Sequence, residues 1–188
     1  MENLVAGGLF QMLMGLPFLA VFGVLGVALA IGIAFYVLGA LPVYQLAKNA
    51  GLPNAWLAWI PYGNVYILLL LAKREFNIFD WIRTYDRTKV FWYYLIIALG
   101  GMVAISLVTT ILGFIPIINI LVGIISPIVK VAYIVALRIF NWRVYYDIYM
   151  TYGLEENAML LAVLSSIFPV VMIVCMFIIK DRQPNYNV

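Results

Sequence analysis

Two stretches of this chain, Leu16 to Val43 and Trp92 to Phe114, run without a single charged residue. Each exceeds the roughly 20 residues that carry a helix across a bilayer. Inside lipid every backbone N–H and C=O must find a partner within the protein, which leaves helices or a closed barrel. A barrel needs segments of about 10 residues that alternate apolar with polar, and these stretches do not alternate. The whole chain is 66% apolar and only 10% charged, whereas soluble domains average roughly 25% charged residues. A soluble core of this size could not hide so much apolar surface. The sequence therefore predicts an all-α integral membrane protein, a single membrane domain over residues 1–188.

Five apolar helical segments can be marked. The first, about Leu9 to Leu46, is overlong. Gly15 and Pro17 interrupt it, so either residues 1–15 form an interfacial helix ahead of a span, or one long tilted helix runs through. The N-terminal Met-Glu-Asn-Leu lacks the basic region of a signal peptide, and the first segment is expected to be retained. The second segment, Ala55 to Ala72, is broken by Pro61-Tyr62-Gly63-Asn64, which favours two half-helices and a re-entrant hairpin. The third (Val90 to Phe114) and fourth (Ile117 to Phe140) are joined only by Gly113 to Pro116, which predicts an antiparallel helical hairpin. Pro127 is expected to kink the fourth. The fifth, Asn157 to Ile179, carries Pro169 near its centre and ends in a polar tail over 180–188.

Between segments two and three lies a polar insert, Lys73 to Lys89. On a helical wheel Ile78, Phe79, Trp81, Ile82 and Tyr85 share one arc, with Asn77, Asp80, Arg83, Thr84 and Arg87 opposite and Phe76 an exception. That pattern predicts an amphipathic cytoplasmic helix in the headgroup plane or packed on its own protein. Trp81 and Trp142 are candidate interfacial anchors, since Trp prefers the water–lipid boundary. Asp147 and the pair Glu155-Glu156 are expected at that surface too.

Basic residues collect on the cytoplasmic side of a membrane. With five crossings, Lys48 and the basic insert fall on opposite sides. With three crossings and two Pro-broken re-entrant hairpins, Lys48, the insert, Lys180 and Arg182 share the cytoplasmic side, and the N-terminus lies outside. The charge rule favours the second arrangement.

Two internal echoes appear. Ile60-Pro61-Tyr62-Gly63-Asn64-Val65 matches Ile115-Pro116-Ile117-Ile118-Asn119-Ile120, making Pro61, Asn64, Pro116, Asn119 and Pro169 candidate helix-break positions. A longer echo sets Val43-Tyr44…Gly51-Leu52…Asn54-Ala55…Leu57 against Val144-Tyr145…Gly153-Leu154…Asn157-Ala158…Leu160. The stretch Tyr44-Gln-Leu-Ala-Lys-Asn-Ala-Gly51-Leu-Pro53-Asn-Ala-Trp56-Leu-Ala-Trp-Ile60-Pro61-Tyr-Gly-Asn64, with Ile115 to Asn119 and Asp147…Gly153 to Pro169, resembles a family of small bacterial polytopic membrane proteins of unknown function. The resemblance covers about residues 30–180 and departs at the 73–89 insert. It implies the bacterial cytoplasmic membrane and this architecture, and no activity.

No catalytic, cofactor or metal site is expected. The chain has no His, and its single Cys, Cys175, lies in an apolar run. A Ser126–Lys130 pair four residues apart on one helical face is too common by chance to count as a nucleophile with its base. No run of Lys or Arg points to nucleic acid. Lys130 stands inside an apolar segment, and Tyr133 and Arg138 follow on its face. The three are a candidate grip for a lipid headgroup or a partner's carboxylate. The function expected is a non-enzymatic membrane subunit or scaffold, in contact with lipids and with other subunits or copies of itself. Gly23, Gly26, Ala30 and Ala34 would permit close helix approach. The alternative is a small-solute or ion transporter or pore built on the broken-helix repeats.

Overall fold

A computed structural model describes residues 2–80 and 82–186, with side chains from Ala20 onward; the anchor expected at Trp81 lies outside the described residues. The chain is mostly helical. In order come α1 (Glu2–Asn49), a 3-10 turn (Ala55–Trp59), α2 (Gly63–Leu71), the strands β1 (Phe76–Ile78) and β2 (Ile82–Thr84), and α3 (Arg87–Leu95). A π turn (Ile96–Gly100), α4 (Gly101–Gly113), α5 (Pro116–Thr151), a second 3-10 turn (Glu155–Asn157), α6 (Ala158–Ile167) and α7 (Pro169–Ile179) follow. Among the described residues, three helical stretches are long and apolar enough to cross a membrane: Ala20–Asn49, Arg87–Gly113 and Pro116–Thr151. The chain divides into two compact units, residues 1–38 and 39–188.

The first unit is helical backbone, and α1 passes Gly15 and Pro17 without the break that an interfacial segment would need. All described residues from Ala20 to Leu38 are exposed. In the second unit the buried core gathers where the end of α1 (Val43, Leu46), α2 (Ile67 to Leu69), the last third of α5 (Val144, Ile148, Tyr149), α6 (Ala162) and α7 (Met176) meet. No residue of α4 is buried, and the first buried residue of α5 is Phe140. Phe114, at the apex between these helices, is 83% exposed. Bare apolar surface on this scale needs lipid or another protein against it.

Local chemistry sets the breaks. α1 ends in a Schellman cap: Gly51 takes φ +70, and Leu52 N donates to Ala47 O at 3.0 Å. Only glycine adopts that conformation without a Cβ penalty. α5 ends identically, with Gly153 at φ +79 and Leu154 N donating to Tyr149 O at 2.9 Å. Each cap leads into a 3-10 turn and a broken helix, so the longer sequence echo is also an echo of backbone hydrogen bonding. The shorter echo behaves alike: Asn64 N donates to Ile60 O and Asn119 N to Ile115 O, each spanning a proline. Phe168 is extended ahead of Pro169, which separates α6 from α7.

The insert differs from the amphipathic helix that its wheel pattern predicts. Residues 76–78 and 82–84 pair as an antiparallel hairpin with Phe76 opposite Thr84 and Ile78 opposite Ile82. Phe79 and Asp80 carry positive φ at its tip, where Asn77 and Asp80 bond each other. Phe76, the exception on the wheel, is fully buried, while Phe79, assigned to the apolar arc, is exposed. A single anchoring side chain and a turn outweigh a helical period that spans too few residues to nucleate alone.

Candidate functional site

The helical turn that follows the hairpin begins the site. Asp86 caps α3 by accepting from the N–H groups of Thr88 and Lys89 at 3.1 and 3.2 Å. The cap fixes Arg87 at the first helical position and turns its side chain inward. There Arg87 Nη2 lies 2.8 Å from Asp147 Oδ2 on α5, and its guanidinium sits 5.2 Å from the centre of the Phe76 ring. The same guanidinium donates twice to the carbonyl of Arg74, at 3.1 and 2.6 Å.

A second arginine completes the arrangement from α5 itself. Arg143, one turn before Asp147, brings Nη1 to 2.7 Å of Asp147 Oδ1, an ion-pair contact outside hydrogen-bond angles. Its Nε donates to Asn77 O at 2.9 Å and its Nη2 to Glu75 O at 3.0 Å. Asp147 is therefore a fully buried hub. Two guanidinium groups hold it and reach past it to carbonyls of Arg74, Glu75 and Asn77, which pins the hairpin to α5. Arg74 Nη1 and Arg87 Nη1 are buried without acceptors, so positive charge outweighs negative in this cluster.

Asp147 departs from the surface position expected of it. The Tyr- and Trp-rich end of α5 is where the core forms, and the hairpin folds over it, so the carboxylate is enclosed and paired. Glu155 and Glu156 are exposed, as a solvated helix end would be.

Of the candidate grip, Lys130 is exposed on α5. Tyr133 turns instead to the π turn, where its hydroxyl donates to Ala98 O at 2.6 Å. Its ring lies so close to Gly101 that a Cβ there would come within 2.7 Å. Arg138 donates to Ser166 O at the end of α6, satisfying a carbonyl that the Pro169 break orphans. Lys130, Tyr133 and Arg138 thus face three different surroundings. Trp142 is half-buried, its indole N–H without an acceptor, beside Arg143 and Tyr146. Tyr149 and Ser165 share a buried hydroxyl pair at 2.7 Å.

The charged ends of the second unit converge. Asn49 Nδ2 donates to Lys180 O at 2.9 Å, Lys73 Nζ stands 4.7 Å from the centre of the Tyr186 ring, and Arg182 donates to the carbonyls of Tyr152 and Gly153. On the hairpin, the hydrogen bond that the exposed Arg83 donates to Glu75 raises the pKa of Arg83, and burial raises that of the Tyr152 phenol. No family model, characterised protein or solved structure matches the chain.

The cluster organises structure around one carboxylate. Sequence reasoning missed Arg87, Arg143 and Asp147 as a unit. The pair Arg143 and Asp147, four apart on a helix, was the available signal; Arg87, 60 residues from Asp147, left none.

Proposed function

We propose that the chain is a non-enzymatic subunit or scaffold of a membrane assembly, packing against other membrane proteins or against copies of itself. What supports this reading is the apolar stretch of residues 24–38, exposed at every position, with nothing within 4 Å of a Cβ built on Gly26 or Gly32. Lipid tails are as apolar as leucine, so helices associate in membranes through close packing at small residues rather than through hydrophobic exclusion. The test is gentle detergent extraction followed by native mass spectrometry. A stable partner or a defined oligomer is expected, and a lone monomer across several mild detergents overturns the reading. Lys130→Met should insert normally yet lower the assembled fraction several-fold, because an exposed cation in a spanning helix costs about 2.5–3.5 kcal/mol until it meets an anionic group. Unchanged complexes would remove Lys130 from the interface.

The proposed topology has three crossings in a bacterial cytoplasmic membrane, two re-entrant broken hairpins, the N-terminus outside and the basic segments inside. It is supported by the contacts that tie Asn49 to Lys180 and Lys73 to Tyr186, because five crossings would place residues 73–89 opposite the C-terminal tail. In a Cys175→Ala background, Tyr85→Cys and Asn185→Cys should be labelled from one face and Phe114→Cys from the other. Labelling of the first two from opposite faces would end the hairpin arrangement.

A transporter or pore is the second reading, favoured by the matched caps and broken helices of the two echoes. Its distinguishing result is solute or ion flux from liposomes that hold the purified chain alone.

A further inference from the structure

A cleft of about 500 Å³ opens between strand β2 and the face of α3 that continues into the π turn. Arg83 and Thr84 form one wall, and Lys89, Tyr93, Ile96 and Ile97 the other. Positions 89, 93, 96 and 97 stand four, seven and eight residues apart and so lie on one helical face. Their chemistry changes in a fixed order along it. A cation comes first, then a phenol, then two aliphatic side chains that are 64% and 42% exposed on a stretch long and apolar enough to span. Among the described residues, two cations line the cleft and no carboxylate does. Their acidic partners stand outside it: Glu75 is 2.7 Å from Arg83 and Asp86 3.6 Å from Lys89. Lys89, Asp86 and Arg83 are solvent-exposed, while the half-buried Glu75 accepts from Arg83 at 2.7 and 3.4 Å. Exposed ion pairs contribute little, the bidentate pair being the stronger of the two, so a phosphate can compete for both cations.

We infer that this cleft binds an anionic phospholipid, its phosphate between Arg83 and Lys89 and an acyl chain along Ile96 and Ile97. The Tyr93 hydroxyl stands at the level of the ester groups, as tyrosine does at membrane interfaces. A soluble phosphate would leave the aliphatic end empty, and a zwitterionic lipid would bring a third cation to the two already present. The inference rests on the membrane reading but not on assembly, because it concerns the isolated chain.

The experiment titrates the purified full chain in mild detergent with phosphatidylglycerol or phosphatidylcholine and counts retained lipids by native mass spectrometry. Phosphatidylglycerol should be retained in preference by about thirty-fold, the effect of two cations at about 1 kcal/mol each near an anionic lipid surface. Arg83→Gln with Lys89→Gln should abolish the preference, while Lys48→Gln with Lys180→Gln, at the same net charge, should keep it. Ile96→Ser should weaken retention of both lipids without altering the preference. Equal retention of the two lipids by the wild-type chain, an unchanged preference in the Arg83/Lys89 variant, or displacement of phosphatidylglycerol by soluble glycerophosphate at equal concentration would each overturn the inference. A thermal melt of every variant in lipid-free detergent, expected within about 2 °C of wild type because exposed changes perturb folding little, separates lost binding from lost structure. A variant that melts earlier is replaced by Arg83→Lys with Lys89→Arg, which should retain the preference if charge sets it; loss of preference there would overturn the inference as well.

Discussion

Asp147→Asn will destabilise the second unit more than any other single polar substitution in the chain. Asparagine keeps the shape of the side chain but removes the one carboxylate facing Arg87 and Arg143. Arg87 is 6% exposed and cannot reach water by rotating, so its charge would remain buried without a counter-ion. Removing one partner of a buried ion pair costs about 3–5 kcal/mol, because the stranded charge keeps its desolvation penalty. The loss should show as an early transition in a thermal melt followed by tryptophan fluorescence, and as proteolytic cutting between residues 73 and 87. A contrasting variant separates charge from shape. Arg87→Met, Arg143→Met and Asp147→Leu together leave no buried charge, and replacing whole buried ionic groups by apolar ones is often neutral or better. That triple variant should melt later than Asp147→Asn, yet its hairpin should be cut faster than wild type, since Arg87 and Arg143 also hold the carbonyls of Arg74, Glu75 and Asn77. If Asp147→Asn melts with the wild-type protein, the cluster is not what fixes the hairpin.

Gly63→Ala is the second large effect, and it comes from a methyl group. A Cβ at Gly63 would lie 2.5 Å from the carbonyl oxygen of Leu57 and 3.2 Å from Ile60 Cβ. The near atom is backbone, held by the hydrogen bond that Ile60 N donates to it at 3.0 Å, so no side chain can swing aside. The turn is already tight, with Tyr62 at φ 64 just before α2 begins. Relief requires α2 to shift, and α2 carries Ile67, Leu69 and Leu71, all without solvent exposure. Overpacking of this kind costs about 1–3 kcal/mol, with the upper part of that range expected where the neighbour is main chain. Gly51→Ala is the control: its φ is +70, but nothing lies within 4 Å of the added methyl, so only the backbone penalty of about 1 kcal/mol applies. Melts in the order wild type, Gly51→Ala, Gly63→Ala are expected. A Gly63→Ala protein as stable as Gly51→Ala would show that the turn is looser than its geometry.

The two substitutions fall on different sides of what the chain announces in its letters. Gly63 sits in a Pro-Tyr-Gly-Asn cluster that marks a break on sight, and the structure puts a break there. Gly51, Gly153, Pro116 and Pro169 likewise stop or start helices where the sequence has them, because φ restrictions and missing N–H groups act within a few residues. The candidate site was far less legible. The spacing from Lys130 singles out Tyr133 and Arg138, but each bonds a carbonyl of a neighbouring helical segment, Ala98 and Ser166, which no spacing on α5 encodes.

The sequence by itself determined that the chain is a helical membrane protein, and it marked the helix interruptions near Gly51, Pro61, Pro116, Gly153 and Pro169, though not the unbroken passage of α1 through Gly15 and Pro17. Transfer of apolar side chains out of water adds up residue by residue along a segment, and turn chemistry is equally local, so both can be read in order. Only the tertiary structure decided that residues 76–78 and 82–84 pair as a hairpin, that Asp147 is enclosed, and that Arg87 crosses 60 residues to meet it. A buried charge is tolerated only where a counter-charge arrives from elsewhere in the chain, and the choice of partner is made by packing in three dimensions.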